Sequence, residues 1–245
     1  MTDPDKAMQP AAWHFFDKIY CISLESRRDR LMEARRQFAS VGLAGRVEFV
    51  IVQKNIDDQV KGIFQSHMSC LTKGLAAGAR HILVFEDDIL FRDFTEQKLH
   101  EACRFLQETG RWDAFFLGCL TNGSTRTDSA AVAKVKYRCL AHAYALSRPF
   151  AERLVREEWS GIPFDELLRR NNDKFFALYP MCAYQGLAGS DNRTVALDWL
   201  RNLFGGLPFI QRGNEVFQNN KPLIFSLHLL FAALALAFLT LYIRQ

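Results

Sequence analysis

The sequence predicts an α/β fold, in which a mostly parallel sheet is flanked by helices and followed by one C-terminal transmembrane helix. Three observations support this prediction. Apolar, β-prone runs alternate with helical segments along the chain, which is typical of strand–helix–strand units. Hydrophobic residues make up 49% of the 245 residues and charged residues 24%, as expected of a packed core. Residues 222–243 contain no acid and no strong base, which is typical of a membrane span.

The elements follow from the spacing of apolar residues. Strands are predicted where runs rich in β-branched and aromatic residues occur, at 18–24, 47–52, 81–85, 113–117, 132–137 and 143–146. Helices are predicted where apolar residues recur on one helical face or a proline opens a segment, at 27–41, 66–77, 99–110, 147–159 and 165–170. Loops are predicted in the polar stretches 122–129 and 186–194. Residues 197–204 form an amphipathic segment, either a helix at the membrane interface or a last core helix.

The net charge and the cysteine pattern argue against several classes of function. The net charge is +4 and no dense basic block occurs, so nucleic acid is not an expected partner. Six cysteines are scattered without a C-x-x-C pair, which predicts buried free thiols rather than a zinc site or a disulfide framework. This usage fits a reducing compartment.

The C-terminal apolar segment is interpreted as a membrane anchor. As a helix, 22 residues span roughly 33 Å, enough for the hydrocarbon core. A buried core helix is the alternative, but no polar face is visible. No secretory signal precedes the first strand, so the globular part is expected on the cytoplasmic side. A basic bias before the span agrees with that orientation and comprises Arg193, Arg201, Arg212 and Lys221.

Two short motifs lie directly after predicted strands. Glu86, Asp87 and Asp88 follow the third strand, and in an extended chain Glu86 and Asp88 project to the same side. Two carboxylates on one side form a hard oxygen site for Mn²⁺ or Mg²⁺, which could clamp a diphosphate. A solvated acidic turn is the alternative. Residues 26–30 (SRRDR) follow the first strand, and they suit either a phosphate or an exposed Arg–Asp pair.

The order of several motifs resembles glycosyltransferase family 25, which includes lipopolysaccharide sugar transferases and collagen galactosyltransferases. The matching segments are residues 22–30 (ISLESRRDR), Ser66-His67, 84–89 (VFEDDI), 112–113, 117–118, 143–147 (AYALS), 163–165 (PFD), 179–180 with Gln185, and 190–191. They keep their order over roughly residues 17–195. The chain departs from the family pattern before Ser66, where residues 61–65 are KGIFQ. In addition, Cys70 follows the Ser-His pair instead of preceding it.

The resemblance implies a GT-A-like fold, a UDP-sugar donor such as UDP-galactose, and transfer with inversion, in which a base takes the proton of the attacking hydroxyl. It implies metal ligands at Glu86 and Asp88, with Asp87 as the alternate ligand. It implies nucleotide-sugar contacts by Ile22, Ser23, Leu24, Arg27, Arg30, His67, Asp87 and Gln185. Asp165 is the candidate base and Asp191 the second candidate. The alternatives are a structural hydrogen-bonding role for His67, a helix N-cap for Asp165 and a turn for Asp191.

The sequence thus predicts an N-terminal extension (1–16), a glycosyltransferase domain (17–196), a juxtamembrane segment (197–221) and a transmembrane helix (222–243). The expected activity is metal-dependent transfer of a hexose, with galactose favoured, to a membrane-associated glycolipid or lipopolysaccharide-type acceptor. The rival is a catalytically inactive, tail-anchored module that binds nucleotide sugars or a partner. A phosphate-ester hydrolase is disfavoured because it would need further carboxylates or histidines clustered near Glu86, and no His-x-Asp or Asp-x-Asp pair occurs there.

Overall fold

The computed structural model describes residues 11–171, 173–186 and 206–243. Asp191, the predicted helix at 197–204 and most of the predicted loop at 186–194 lie outside the described residues. The strands are β1 Lys18–Leu24, β2 Glu48–Val52, β3 His81–Glu86, β4 Ile89–Phe91, β5 Ala114–Arg126, β6 Val132–Ser147, β7 Phe175–Leu178 and β8 Ala183–Gln185. The helices are a short 3-10 helix Ala11–Phe15 and α1 Arg28–Ser40, α2 Gln59–Ala76, α3 Glu96–Thr109, α4 Arg148–Leu154, α5 Phe164–Arg170 and α6 Gly206–Ile243.

The main sheet has the order β2-β1-β3-β6-β5-β7. Strands β1, β2 and β3 are parallel, β6 runs antiparallel to β3 and β5, and β7 is parallel to β5. All strands of this sheet except β6 therefore point the same way, which confirms the predicted mostly parallel α/β sheet. Strand β4 pairs with β8 in a small antiparallel sheet. The carboxyl ends of β1, β2 and β3 consequently meet at one edge, where ligands of such sheets bind.

Helices cover both faces of the main sheet because successive strand residues alternate between two cores. In β3, Leu83 and Phe85 join the core under α1 and α3, whereas Ile82 and Val84 join the core under α2, α4 and α5. The six cysteines carry no disulfide, and five of them are buried, which confirms the predicted free thiols.

Several predicted boundaries are wrong. Helix α2 begins at Gln59 rather than at residue 66, because the Asp58 side chain accepts a hydrogen bond from the Lys61 N–H (2.9 Å) and caps an earlier first turn. The predicted loop 122–129 is largely strand, since β5 continues to Arg126 in a hairpin with β6. The strands predicted at 132–137 and 143–146 are one strand, which is irregular near Leu140, where φ is 76°. The helix predicted to reach residue 159 ends at Leu154.

The N-terminal segment contributes to the core. Trp13 and Phe16 are fully buried, and the Trp13 indole N–H donates to the Val41 carbonyl (2.8 Å). Both residues precede the predicted domain start at residue 17. The domain limits remain predictions, but this short helix packs as part of the folded body.

Helix α6 has two dissimilar parts, separated by a kink at Asn220 (φ −124°) and Pro222. The first part packs on β5, and the Asn214 side chain bonds both the N–H (2.9 Å) and the carbonyl (3.0 Å) of Thr121. The second part exposes leucine and phenylalanine side chains, including Leu229 and Phe231. Within the described part of the chain, α6 is the one helix long and apolar enough to cross a membrane.

Candidate active site

A cleft of about 450 Å³ lies at the carboxyl ends of β1 and β3. Its walls come from the ends of β1, β2 and β3, from α1, α2 and α5, and from β6 and β8. The structure brings most of the predicted site residues to this cleft: Ile22, Leu24, Arg30, His67, Glu86, Asp87, Asp88, Asp165 and Gln185. Ser23 contacts Asp87, whereas Arg27 pairs with Asp29 (2.8 Å) and is not among the described residues that line the cleft.

The three acids do not continue as an extended strand, so the condition under which Glu86 and Asp88 were expected to project to the same side is not met. Strand β3 ends at Glu86, and residues 87 and 88 form a turn that leads into β4. Because the backbone turns here, each carboxylate meets a different set of neighbours.

Asp87 is buried and paired. The Ser23 hydroxyl donates to one carboxylate oxygen (2.8 Å), and the Arg30 guanidinium lies 3.4 Å from the other. Burial raises the pKa of Asp87, while the Ser23 hydrogen bond and the Arg30 charge oppose that rise. Asp87 therefore joins the end of β1 to α1, and it holds Arg30 at the cleft.

Glu86 points toward His67, with 3.4 Å between the carboxylate and Nε2. Burial raises the pKa of Glu86 well above its usual range, and repulsion from Asp88, Asp165 and Asp87 adds to the rise. Four carboxylates thus act on one another around this cleft. Such a cluster is unfavourable unless protons or cations neutralise part of it.

His67 is buried, and both ring nitrogens have neighbours. Nδ1 lies 2.9 Å from the Tyr144 hydroxyl, and the ring stacks on Phe164 with 4.3 Å between centroids. Burial lowers the pKa of His67 to about 4, although the charge of Asp165 opposes this. The imidazole is therefore neutral near pH 7, and these contacts describe the hydrogen-bonded structural role foreseen as the alternative for His67.

Asp165 lines the cleft near the irregular part of β6. Its carboxylate accepts hydrogen bonds from the Tyr137 hydroxyl, the Ala141 N–H (3.1 Å) and the Leu140 N–H (3.3 Å). The N-cap alternative is wrong, because Pro163 occupies the cap position of α5. Asp165 instead stabilises the left-handed backbone at Leu140.

Asp88 differs from its neighbours because one of its oxygens is unused. Oδ2 accepts a hydrogen bond from the Gln185 side-chain amide (2.9 Å). Oδ1 is buried and has no hydrogen-bond partner among the residues that the structure describes. The same holds for Oε1 of Gln185. A buried acceptor without a donor is costly, so these atoms are suited to a hydrogen-bond donor or a cation.

His142 is a cleft residue that the sequence reasoning missed. It is buried on β6, and its Nε2 lies 3.2 Å from the Ala183 carbonyl. Burial lowers the pKa of His142, and the charge of Asp88 is the largest opposing influence. Its only signal in the sequence is a single polar residue within the apolar run 141–146 (AHAYAL).

The residues at this edge fit a divalent cation. Asp88 offers a buried, unpaired carboxylate oxygen, and hard cations take carboxylate and amide oxygens as ligands. In the described ranges, no group of three or more His, Cys, Asp or Glu side chains is arranged to hold a metal by itself. A cation here would therefore need further ligands from a substrate or from water.

No protein-family model matches this sequence, and no curated protein matches it. Solved structures of low similarity include A197 from STIV, at 13% identity and a TM-score of 0.44, covering 68% of this chain and 83% of that chain. A mannose-1-phosphate geranyltransferase from Thermus thermophilus has 9% identity and a TM-score of 0.41, covering 66% and 73%. A UDP-glucose pyrophosphorylase complexed with UDP-glucose has 13% identity and a TM-score of 0.41, covering 72% and 80%.

Proposed function

We propose that this protein is an inverting, metal-dependent glycosyltransferase that moves a hexose, with galactose as the first sugar to test, from a UDP-sugar to a membrane-associated glycolipid or lipopolysaccharide-type acceptor. The observation that carries the proposal is Asp88 Oδ1, a buried carboxylate oxygen without a hydrogen-bond partner in the described part of the chain. It lies in a cleft at the carboxyl ends of parallel strands, and Arg30 lines the same cleft. This combination suits a diphosphate held partly through a cation.

The donor would be bound along the ends of β1 and β3. Ile22 and Leu24 would contact the nucleotide through their backbone, while Ser23 supports Asp87. Arg30, held by Asp87, would face the phosphates. Arg27 would fix the start of α1 through its pair with Asp29.

Mn²⁺ or Mg²⁺ would be held by Asp88, with Glu86 and Asp87 as the neighbouring carboxylates. When bound, the cation would neutralise the diphosphate and stabilise the departing UDP. Around it, His67 would stay neutral and fix the orientation of Glu86, and Gln185 would fix Asp88.

The acceptor hydroxyl needs a base, because inversion is a single displacement. Asp165 and Asp191 remain the two candidates. Asp165 lines the cleft, and its carboxylate already accepts three hydrogen bonds. Asp191 lies outside the described residues.

Calorimetry of UDP binding with and without Mn²⁺ tests the proposal. We expect binding that requires Mn²⁺ and is lost in Asp88→Ala. With a UDP-sugar and a glycolipid mixture, Glu86→Gln and Asp88→Asn should each lower transfer by at least ~100-fold, because a metal clamp is worth several kcal/mol. Absence of UDP binding with any divalent metal would overturn the proposal.

A catalytically inactive, tail-anchored binding module is the second candidate. Two observations favour it: the departure from the family pattern at residues 61–65, and the hydrogen bonds that already occupy Asp165. Metal-dependent UDP binding without any transfer or donor hydrolysis would support this candidate over the enzyme.

We further propose that residues 222–243 cross the membrane and that the globular part faces the cytoplasm. The exposed apolar side chains of the second part of α6 support an anchor, and an anchor holds enzyme and lipid-linked acceptor in one plane. A chain lacking residues 222–245 should be soluble and hydrolyse donor, yet act poorly on membrane-bound acceptor. Equal activity on that acceptor would contradict a role for the anchor.

A further inference from the structure

Two buried histidines line the cleft, and they differ in how their ring nitrogens are used. In His67, Nδ1 contacts the Tyr144 hydroxyl (2.9 Å) and Nε2 lies near Glu86 (3.4 Å). In His142, Nε2 contacts the Ala183 carbonyl (3.2 Å), whereas Nδ1 is buried without a hydrogen-bond partner among the described residues. His142 therefore carries an unused nitrogen at the cleft.

The Ala183 and Leu140 carbonyls both act on the His142 ring, but of the two only the Ala183 oxygen lies at hydrogen-bonding geometry, so it decides which nitrogen holds the proton. A carbonyl can only accept, so Nε2 must donate, and neutral His142 then presents the lone pair of Nδ1. Histidines that bind metals are usually oriented in this way, with the second nitrogen donating to a carbonyl or carboxylate. The hydrogen bond from His142 to the Ala183 carbonyl is thus the kind of contact that orients a histidine to bind a metal.

The Ala183 carbonyl is itself held from two further directions. Gln211 of α6 is fully buried, and its side-chain amide donates to the same oxygen (2.7 Å). A side chain at Gly118 would place its Cβ 1.7 Å from this oxygen, so only glycine allows the close approach. His142 is consequently oriented by a fixed group.

The unused nitrogen belongs to a set of buried acceptors. Asp88 Oδ1 and Gln185 Oε1 line the same cleft and, within the described ranges, also have no hydrogen-bond partner. The Gln185 amide cannot be reversed without cost, because its Nε2 donates to Asp88 (2.9 Å). The strands bring the residues together, since Ala143 pairs with Phe85 at the end of β3 and Gln185 pairs with Ile89. Buried acceptors that line one cleft and have no donor suit a cation.

We propose that His142, together with Asp88 and Gln185, holds the divalent cation, and that the His142 nitrogen makes this site select Mn²⁺ over Mg²⁺. Imidazole is a poor ligand for Mg²⁺, which takes oxygen almost exclusively, whereas Mn²⁺ accepts both oxygen and nitrogen. The proposal rests on the proposed function for the donor phosphates that complete the coordination. It revises the ligand set implied by the family resemblance, in which Glu86 and Asp88 hold the metal.

Binding of Mn²⁺ to the full chain in detergent micelles, measured by electron paramagnetic resonance with and without UDP, tests this inference. His142→Gln keeps an amide that can donate to Ala183 but removes the nitrogen ligand. We expect its Mn²⁺ affinity to fall at least ~10-fold while its Mg²⁺ affinity, measured by competition, changes far less. Pulsed resonance of bound Mn²⁺ should show ¹⁴N coupling from imidazole in the wild type and not in His142→Gln.

His81→Gln is the control, because His81 is not among the described residues that line the cleft and its Nδ1 contacts the Phe15 carbonyl (2.9 Å). It should keep the preference for Mn²⁺ and the ¹⁴N signal. Unchanged Mn²⁺ affinity in His142→Gln, or an equal loss in both variants, would overturn the inference. If the wild type binds UDP and Mn²⁺, and binding is lost in Asp88 variants but not in His142→Gln, this inference fails and the proposed function stands. If Mn²⁺ binds through His142 but UDP never binds, the proposed function fails and this inference stands.

Discussion

The polar residues of the cleft form two sets, which we call its paired side and its unpaired side, and the sets contain the same kinds of residue but differ in how completely their polar atoms are paired. On the paired side, Asp87, Asp165 and His67 each contact two or more groups of the protein. On the unpaired side, Asp88 and His142 each keep one buried acceptor without a partner among the described residues. The comparison separates two uses of a buried polar group. A paired group stabilises the fold, whereas an unpaired one costs stability and indicates a ligand.

Asp165→Ala should have the largest effect on stability. It leaves the Tyr137 hydroxyl and the N–H groups of Leu140 and Ala141 without their acceptor, and buried donors left unpaired cost about 1–3 kcal/mol each before the structure relaxes. We expect the free energy of unfolding in urea to fall by about 2–4 kcal/mol.

Asp165→Asn is the control for that measurement, because it keeps one acceptor oxygen for Tyr137 or Ala141. It should recover part of the loss. If Asp165→Ala were as stable as the wild type, Asp165 would not belong to the paired side, and its assignment as a base would gain support.

His67 predicts a pH dependence of stability with a defined sign. Burial lowers its pKa to about 4 in the folded protein, against 6.5 as the ordinary value, so the unfolded chain binds the proton more tightly. Stability from neutral His67 is therefore complete above pH 6.5 and is lost as the pH falls toward 4. Between pH 7 and pH 5 this amounts to about 2 kcal/mol, at about 1.4 kcal/mol per pKa unit.

The measurement is urea unfolding at both pH values in the presence of a chelator, for the wild type and His67→Gln. The wild type should lose about 2 kcal/mol more than the variant on acidification, since the other titrating groups are common to both. Equal losses would show that the contacts of His67 do not keep it neutral.

The sequence predicted where the site lies better than how its atoms are paired. The ends of parallel strands gather at one edge, so Ile22–Leu24 and Glu86–Asp88 could be expected to meet from local patterns alone. The pairing of Ser23 with Asp87 joins residues 64 positions apart, and no periodicity encodes it. The role of His142 depends on the position of the Ala183 carbonyl, which only the folded chain defines.

The secondary structure shows a similar contrast: elements fixed by buried apolar residues were predictable, whereas elements fixed by pairing or capping were not. Strands β1 and β3 were predictable because an unbroken run of buried apolar residues lies within each, Ile19–Cys21 in β1 and Ile82–Phe85 in β3. The extension of β5 to Arg126 was not, because its residues are polar and half-exposed, and their strand conformation comes from pairing with β6. The early start of α2 depends on one capping contact by Asp58.

The smallest expected effect gives the sharpest comparison, because Asp87 and Asp88 are adjacent and similarly buried. Without metal, Asp88→Asn should change the free energy of unfolding by less than about 0.5 kcal/mol or raise it, since it removes a buried charge that has an unpaired oxygen and can keep the oxygen that accepts from Gln185. Asp87→Asn should lower it by about 2 kcal/mol, because Arg30 loses a buried counter-charge. Urea unfolding of both variants in chelator measures the difference. Equal destabilisation would mean that Asp88 also stabilises the fold. Asp88 would then no longer belong to the unpaired side of the cleft, and the metal proposal would lose the residue on which it depends most.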